Sequence, residues 1–279
     1  MPQPFFSIII VCLNPGEKLK LTVDSIVAQN FMDYEVIIQD GLSTDAAAVE
    51  LAAHNTDARI RLYREKDTGI YDAMNRAVEK ARGEYLYFLN CGDLFRDEQV
   101  LMRVKDCVAE KADGDIYYGN IHEEKTAQTV KSNPHIYIEG PAEPRIDRFA
   151  CYRHLPCHQA CFYRRSLLAE RPFSPEYKVM ADYEHFLWAI LENGASLTYL
   201  PLTIARYEGG GYSETKENRK RLTLEHRRIV AYYMTKGEIF YYRLLLTLTL
   251  APLRATLAKN KHTAGIYQGL KKKLYKNHE

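Results

Sequence analysis

The chain has 279 residues, a formal net charge of +2 and 46% hydrophobic residues. This balance supplies enough apolar side chains for a sizeable core, and the small net charge argues against nucleic acid as the main partner. The length suits one large α/β domain, alone or with an appendage.

Predicted strands and helices alternate along the first part of the chain. Apolar runs predict strands at Phe6 to Leu13, Tyr34 to Gln39, Ile60 to Tyr63, Glu84 to Leu89 and Ile116 to Tyr118. Helical spacing of apolar residues predicts helices at Lys18 to Gln29, Ala46 to His54, Tyr71 to Arg82 and Asp97 to Glu110. This alternation predicts an α/β fold with a parallel, helix-covered sheet over residues 5 to 120.

Two helix ends in this part carry recognisable signals. Either Ser43 or Thr44 is placed to cap the helix that starts at Ala46. Gly83 follows the helix that starts at Tyr71, and we expect it to take the left-handed conformation there.

Beyond residue 120 the pattern is looser. HIYIEG (135–140) is a candidate edge strand, and the loop EGGGYS (208–213) is too rich in glycine to hold regular structure unaided. Strands are predicted at Ala160 to Tyr163 and Ser196 to Ile204, and helices near Arg165, at Met180 to Gly194 and at Arg219 to Met234.

The last fifty residues are apolar, basic and rich in tyrosine. The run Ile239 to Leu250 is interrupted by Arg243, so it lacks the roughly 20 uninterrupted apolar residues of a membrane-spanning helix. Apolar residues beside Lys, Arg and Tyr are typical of a helix that lies in a membrane interface. The alternative is a helix packed on the domain or on a second subunit.

Carboxylates follow two predicted strands. Asp40 and Asp93 stand at carboxyl ends, where ligands bind in open α/β sheets, and carboxylates there suit Mg²⁺ or Mn²⁺ together with phosphate oxygens. Turn and cap roles are the alternatives for both residues. Asp67, Asp72 and Asn75 lie beside the same edge. Each could cap a helix, but a cluster this polar favours ligand contact.

Two further groups of charged residues have open interpretations. Asp182 and Glu184 either provide a general base or stabilise the helix start through the macrodipole. The cations after EGGGYS either neutralise a leaving diphosphate or form a solvated basic face; they are Lys216, Arg219, Lys220 and Arg221.

Several stretches together resemble a family 2 glycosyltransferase with the GT-A fold, of the bacterial type that builds cell-surface polysaccharides. They are SIIIVCLNPGEKLKLTVDSIVAQNF, YEVIIQDGLSTD, EKDTGIYDAMNRAVEKARGEYLYFLNCGD, CHQACFYRRSLL and MADYEHFLWAI. The resemblance covers about residues 5 to 215. It implies a nucleotide-sugar half (about 1–120), an acceptor half (about 121–215) and a helical extension (216–279).

The resemblance also assigns residue roles. Asn14 and Asp40 would line the nucleoside pocket, with Ser43 and Asp45 near it. Asp67 and Asn75 would lie near the ribose and diphosphate, where Asn90 would offer a hydrogen bond. Asp93 matches the last carboxylate of the Asp-x-Asp metal motif, and Asp182 matches the catalytic base. The chain departs from many relatives because Asn90-Cys91-Gly92-Asp93 holds one acid rather than two or three.

The implied activity is inverting transfer of a sugar from a nucleotide-diphosphate donor, with Mn²⁺ or Mg²⁺ as the cofactor. We expect the donor to be UDP-linked. The acceptor would be a hydroxyl of a glycan or of a polyprenyl-diphosphate-linked saccharide. With no leader pattern at the N-terminus and no paired cysteine spacing, we expect a cytoplasmic protein with reduced thiols, peripheral on the inner membrane. A nucleotidyltransferase and a non-catalytic nucleotide-sugar-binding module are the rival interpretations.

Overall fold

A computed structural model describes residues 3–111, 114–123, 146–153, 155–207 and 215–248. The strands of these ranges are β1 (Phe6–Cys12), β2 (Tyr34–Asp40), β3 (Ile60–Arg64), β4 (Tyr85–Phe88), β5 (Leu94–Phe95), β6 (Ile116–Glu123), β7 (Cys161–Arg164) and β8 (Leu197–Tyr207). The helices are α1 (Lys18–Val27), α2 (Ala47–His54), α3 (Ile70–Lys80), α4 (Val100–Glu110), α5 (Arg148–Arg153), α6 (Arg165–Glu170), α7 (Ala181–Leu191), α8 (Lys216–Tyr233) and α9 (Lys236–Leu248). The candidate strand at 135–140 and the loop at 208–213 lie outside the described residues.

One sheet joins all the described strands in the order β3-β2-β1-β4-β7-β6-β8-β5. The pairs among β3, β2, β1 and β4 are parallel, as is β6 with β8. β7 runs antiparallel between β4 and β6, and β5 runs antiparallel to β8. The α/β fold with a mostly parallel, helix-flanked sheet is therefore confirmed. The parallel sheet expected over residues 5 to 120 is found for β1 to β4, whereas β6 is joined to them through the antiparallel strand β7.

The central strands form because their side chains are apolar on both faces. β1 and β4 are buried along their whole length, which is typical of strands covered by helices on both sides. In β1, Ile9 packs into a cluster with α3, α6, α7 and α8, while Ile8 and Ile10 pack into a second cluster with α1 and α4. The sheet therefore separates two apolar layers.

Both predicted cap signals are wrong. Gly83 does not adopt a positive φ; instead, a Cβ there would clash with the main chain of β1 at Ser7. Gly83 is required because the turn after α3 packs directly on β1. The N-cap of α2 is Ala46, and the Asp45 carboxylate accepts from the Ala47 N–H at 3.3 Å.

The C-terminal helices pack on the rest of the chain. Leu222, Ile229 and Val230 of α8 belong to the same core cluster as α7. On α9, Tyr242 packs against Phe149 and Tyr152 of α5, with ring centroids 5.2 and 5.3 Å apart. No helix in the described ranges combines the length and the apolar character needed to span a membrane. The predicted domain boundary near residue 215 stays a prediction, but α8 is not detached from the core.

Candidate active site

The loops after β1 and β2 form one hydrogen-bonded wall at the carboxyl edge of the sheet. The Asn14 N–H donates to Ser43 Oγ at 2.7 Å, and the Asn14 side-chain oxygen accepts from the Thr44 N–H at 2.8 Å. Asp45 closes the wall by accepting from the Gly16 N–H at 2.9 Å. Three residues predicted to lie at the nucleoside pocket, Asn14, Ser43 and Asp45, are thus brought together.

Asp40 lies behind this wall, and its side chain is fully buried. It accepts a hydrogen bond from the Ser43 hydroxyl and forms an ion pair with Arg64 Nε at 2.8 Å. Two exposed apolar side chains lie nearby: Leu13 directly precedes Asn14, and Leu42 follows Gly41. Asn14 and Leu42 have φ values of 51° and 63°, an uncommon backbone conformation for residues other than glycine.

Asp67 lies over the end of β2. A Cβ on Gly41 would clash with the Asp67 carboxylate and would approach Leu13 Cδ1 at 3.5 Å. Asp67 Oδ1 accepts from the Gly69 N–H at 3.0 Å. Gly41 therefore permits close approach of Asp67, whose carboxylate faces the same wall as Leu13.

Two other polar residues of this region hold α3 in place. Asn75 donates to the Phe173 carbonyl at 2.8 Å and accepts from the Phe173 N–H at 2.9 Å. Asp72 accepts from the Thr68 N–H at 2.8 Å at the start of α3. The structure gives both side chains internal partners, and the contact of Asn75 with ribose or diphosphate stays a prediction.

Asp93 is buried at the carboxyl end of β4, with 4% of its surface exposed. Its Oδ2 accepts from Gln159 Nε2 at 2.6 Å, and Cys157 Sγ donates to Gln159 Oε1 at 2.6 Å. Burial raises the pKa of the Cys157 thiol well above its usual range, so the thiol stays protonated and donates. The segment before β7 thereby fixes the Asp93 carboxylate.

Asn90 lies beside the same segment. Its side-chain nitrogen is 3.4 Å from His158 Nε2, and its side-chain oxygen makes no hydrogen bond with the described residues. Burial lowers the pKa of His158, against an opposite effect of Asp182. A neutral His158 can accept a hydrogen bond from the Asn90 amide.

Asp182 stands in the first turn of α7. The Tyr71 hydroxyl lies 2.7 Å from Asp182 Oδ1 and 2.8 Å from the Val179 carbonyl. Burial, and then Asp182 itself, raises the pKa of Tyr71 well above its usual range. Tyr71 therefore stays protonated and can donate to the carboxylate. This role of Tyr71 was not predicted, because the sequence marks Tyr71 only as the start of a helix.

Glu184 points away from Asp182 into the core. Its Oε1 accepts from Arg171 and from the Tyr233 hydroxyl of α8, both at 2.6 Å. Its side chain is 4% exposed. Glu184 therefore joins three helices, and this is a structural role.

A second residue whose role was not predicted is Glu225 of α8. Its carboxylate binds the main chain of the loop that precedes Asp182. Glu225 accepts from three successive main-chain N–H groups, those of Lys178, Val179 and Met180, at 2.9 to 3.0 Å. Glu225 is 9% exposed. Because the sequence separates it from this loop by more than forty residues, local spacing gave no signal for it.

The two candidate catalytic carboxylates both lie near one short segment, residues 157–160. Asp93 and Asp182 both raise the pKa of Cys157, after the larger effect of burial. Since β7 runs antiparallel to β4, residues 157–160 lie beside the carboxyl end of β4. The donor-side and acceptor-side candidates therefore lie near the same segment of the chain.

The residues around Asp93 suit a divalent cation that is shared with phosphate oxygens. No group of three or more His, Cys, Asp or Glu side chains in the described ranges could hold a metal ion alone. Mg²⁺, however, commonly binds through one or two carboxylates together with substrate phosphates. The buried Asp93 carboxylate and the Asn90 side-chain oxygen fit that arrangement.

Comparison with known proteins agrees with this geometry. A family model described as glycosyl transferase family 2 matches residues 7–171. A "PGL/p-HBAD biosynthesis glycosyltransferase" of Mycobacterium bovis is 35% identical over 235 residues, covering 81% of this chain and 87% of the relative. A putative teichuronic acid biosynthesis glycosyltransferase, TuaG of Bacillus subtilis, is 32% identical over 100 residues, covering 35% of this chain and 40% of the relative.

Solved structures show the same fold. S. aureus TarS 1–349 in complex with UDP has a TM-score of 0.61 at 18% identity, covering 82% of this chain and 65% of that chain. The mannosyltransferase PcManGT from Pyrobaculum calidifontis, with GDP-Man and Mn²⁺, has a TM-score of 0.58 at 15% identity, covering 100% of this chain and 89% of that chain. Both likenesses confirm the expected GT-A fold.

Proposed function

The chain belongs to glycosyl transferase family 2, and on that premise we propose that it transfers a sugar with inversion from a UDP-linked donor. The acceptor in this proposal is a hydroxyl of a cell-surface glycan or of a polyprenyl-diphosphate-linked saccharide. The observation that carries the proposal is that Asp93, held by Gln159 at 2.6 Å, and Asp182 both lie near the segment that precedes β7.

On the donor side, the wall formed by Asn14, Asp40 and Ser43 supports the nucleoside. The wall is held by internal hydrogen bonds, so binding costs little further ordering. The exposed Leu13 and Leu42 offer apolar surface to the base. Asp67, whose carboxylate faces this wall, is assigned to the ribose hydroxyls.

Asp93 and Asn90 would hold Mn²⁺ or Mg²⁺ against the donor diphosphate. When bound, such a cation acts as a Lewis acid that stabilises the leaving group and orients the donor. Gln159 fixes the Asp93 carboxylate through its 2.6 Å hydrogen bond. The cations at the start of α8 and the loop 208–213 are further candidates for contact with the diphosphate.

On the acceptor side, Asp182 takes the proton from the acceptor hydroxyl as that hydroxyl attacks the anomeric carbon. Attack from the face opposite the nucleotide inverts the configuration at that carbon. Tyr71 orients the Asp182 carboxylate through its hydroxyl, and Glu225 orders the main chain that precedes it. A general base contributes typically 10²- to 10⁴-fold in rate when it is within hydrogen-bond reach of the proton.

The location proposed for this activity is the cytoplasmic face of the inner membrane, with α9 at the membrane surface. On α9, Tyr242 faces the core, whereas Phe240, Tyr241, Leu244 and Leu248 are exposed. Exposed apolar side chains along one helix face support contact with a membrane interface or with a second subunit.

A panel of nucleotide sugars tests the proposal. The full chain is mixed with each sugar and Mn²⁺; binding is measured by calorimetry and slow hydrolysis by NMR. We expect a UDP-sugar to bind and to release free sugar with inverted anomeric configuration. Retained configuration would contradict inversion, and binding without any turnover would favour a non-catalytic module. In a parallel sample with added pyrophosphate, consumption of pyrophosphate with formation of nucleoside triphosphate and sugar 1-phosphate would favour a nucleotidyltransferase.

A further inference from the structure

A cavity separate from the crevice lies between α5, α8 and α9. Its volume is about 500 Å³, which is within the usual range for a small-molecule site. Its apolar lining includes Tyr152, Val230 and Ile239. Two arginines, Arg227 of α8 and Arg243 of α9, line the same cavity.

Both arginines are exposed, and neither forms an ion pair with a residue in the described part of the chain. Their neighbours differ: Arg228 pairs with Glu176 at 2.8 Å, and Arg148 pairs with Glu238 at 2.5 Å. No acidic side chain is found among the described residues that line the cavity. The cavity therefore combines an apolar interior with two cations that form no ion pair among the described residues.

The cavity adjoins an exposed apolar surface. Ile239 lines the cavity, whereas Phe240 and Leu244 are exposed. With about 3.6 residues per turn, Arg243 lies between these two groups around the axis of α9. A ligand with a phosphate in the cavity and a hydrocarbon chain along α9 would satisfy both features. This pairing of cations with an apolar face is typical of surfaces that bind anionic lipids.

We propose that this cavity binds the phosphate headgroup of a membrane lipid, with the hydrocarbon chain leaving along the exposed face of α9. The chain's own C-terminal segment is a poorer occupant, because residues 249–279 carry seven Lys or Arg residues and one Glu. Such a basic segment is repelled by Arg227 and Arg243.

The cavity lies on the acceptor side of the site. His226, which lines it, packs against Tyr183 with ring centroids 5.3 Å apart, and Tyr183 follows Asp182 in α7. A lipid held here would place the protein at the membrane with the acceptor side of the crevice nearest to it. The inference rests on the proposed membrane location but not on the chemistry of sugar transfer.

Vesicle flotation of the full chain tests the lipid site. The probes are vesicles of phosphatidylcholine alone and of phosphatidylcholine with phosphatidic acid in equal parts. We expect binding to the second kind only. Arg227→Gln and Arg243→Gln should each weaken it about fivefold or more, the factor for one cation at an anionic surface. Arg228→Gln is the matched control, because it removes the same charge from α8 outside the cavity, and it should change binding little.

A cavity-filling variant distinguishes binding of lipid in the cavity from non-specific electrostatic attraction of the protein to anionic vesicles. Ala231 lines the cavity and is exposed, so Ala231→Phe should fold normally and fill the space without changing charge. We expect it to weaken flotation about as much as Arg227→Gln, and millimolar inorganic phosphate to leave flotation of the wild type unchanged.

Three results would overturn the proposal. They are equal losses in all three arginine variants, unchanged binding in Ala231→Phe, and no flotation of the wild type. Competition by inorganic phosphate would instead identify a free-phosphate site. Turnover of nucleotide sugars in solution is measured separately, so a failure here leaves the proposed transfer reaction untouched.

Discussion

Asp182 and Glu184 stand two residues apart on α7, yet their surroundings give them different roles. Asp182 is half-buried and is contacted by the hydroxyl of Tyr71. Glu184 is buried and paired with Arg171. A buried carboxylate whose partners are fixed protein groups holds helices together, whereas a half-buried one at a crevice can take a proton from a ligand.

Asp182→Asn should therefore lower kcat by about 10²- to 10⁴-fold while the donor Kd stays close to that of the wild type. Glu184→Gln is the matched control: it should lower the free energy of unfolding by about 2 kcal/mol through the loss of a largely buried ion pair. The kcat of its folded fraction should be nearly unchanged. Steady-state kinetics, donor calorimetry and urea denaturation measure these effects, and unchanged turnover in Asp182→Asn would remove the assignment of the base.

Asp93 offers a test of cation binding in which the shape of the side chain is preserved. Asp93→Asn keeps an acceptor for Gln159 but removes the negative charge, so donor affinity measured with Mn²⁺ should fall about tenfold or more, equivalent to about 1.4 kcal/mol. Without metal, the two proteins should differ much less. Asp97→Asn, an exposed carboxylate paired with Arg103, is the control. Equal calorimetric affinities with Mn²⁺ would rule out the metal role of Asp93.

At the scale of elements, α8 supports the catalytic end of α7. The three main-chain N–H groups before α7 lack helical partners, and the Glu225 carboxylate satisfies all three. Tyr71 of α3 contacts the Val179 carbonyl from the other side. The position of Asp182 thus depends on two helices, α3 and α8, that are distant from it in the sequence.

Glu225→Gln should loosen this loop, because a neutral amide offers one acceptor oxygen where the carboxylate offers two. We expect kcat to fall about tenfold, equivalent to 1.4 kcal/mol, with little change in the donor Kd. A merely structural role would lower stability and leave the kcat of folded protein unchanged. Glu176→Gln, an exposed carboxylate on the loop before α7, should change neither quantity.

The sequence predicted best the elements whose signal is local. β1, β2 and α3 were placed within one or two residues because continuous apolar runs and helical spacing mark them. The two-residue strand β5 and the short helix α5 were missed, since neither is long enough to show a period. Glycine is needed at position 83 for close packing on β1 and not for a left-handed conformation. The sequence could not show this, because the packing is a tertiary constraint.

At the scale of the whole molecule, sheet order was the part that sequence could not supply. β7 pairs with β4 although their residues lie more than seventy positions apart, and this pairing brings Gln159 and His158 to Asp93 and Asn90. Asp40, Asp93 and Asp182 were identified from strand ends and from the family resemblance. Their partners Arg64, Gln159 and Tyr71 required the three-dimensional structure.

The buried core also determines how the molecule responds to acid. His185 lies within the core, with ring centroids 5.3 Å from both Phe173 and Trp188. Burial lowers the pKa of His185 to about 4. Because the unfolded chain binds this proton near pH 6.5 and the folded chain does not, the stability from the neutral ring is present above about pH 6.5 and is lost as the pH falls.

We therefore expect the free energy of unfolding to fall by up to about 3 kcal/mol between pH 6.5 and pH 4 on account of this one group. His185→Phe, which keeps a ring in the cluster, should reduce that slope by about one proton; burial also lowers the pKa of His158, so some slope remains. Urea denaturation across this pH range measures the difference. His54→Gln, at the exposed end of α2, should keep the wild-type slope. Parallel pH profiles for His185→Phe and the wild type would mean that acid acts through other groups.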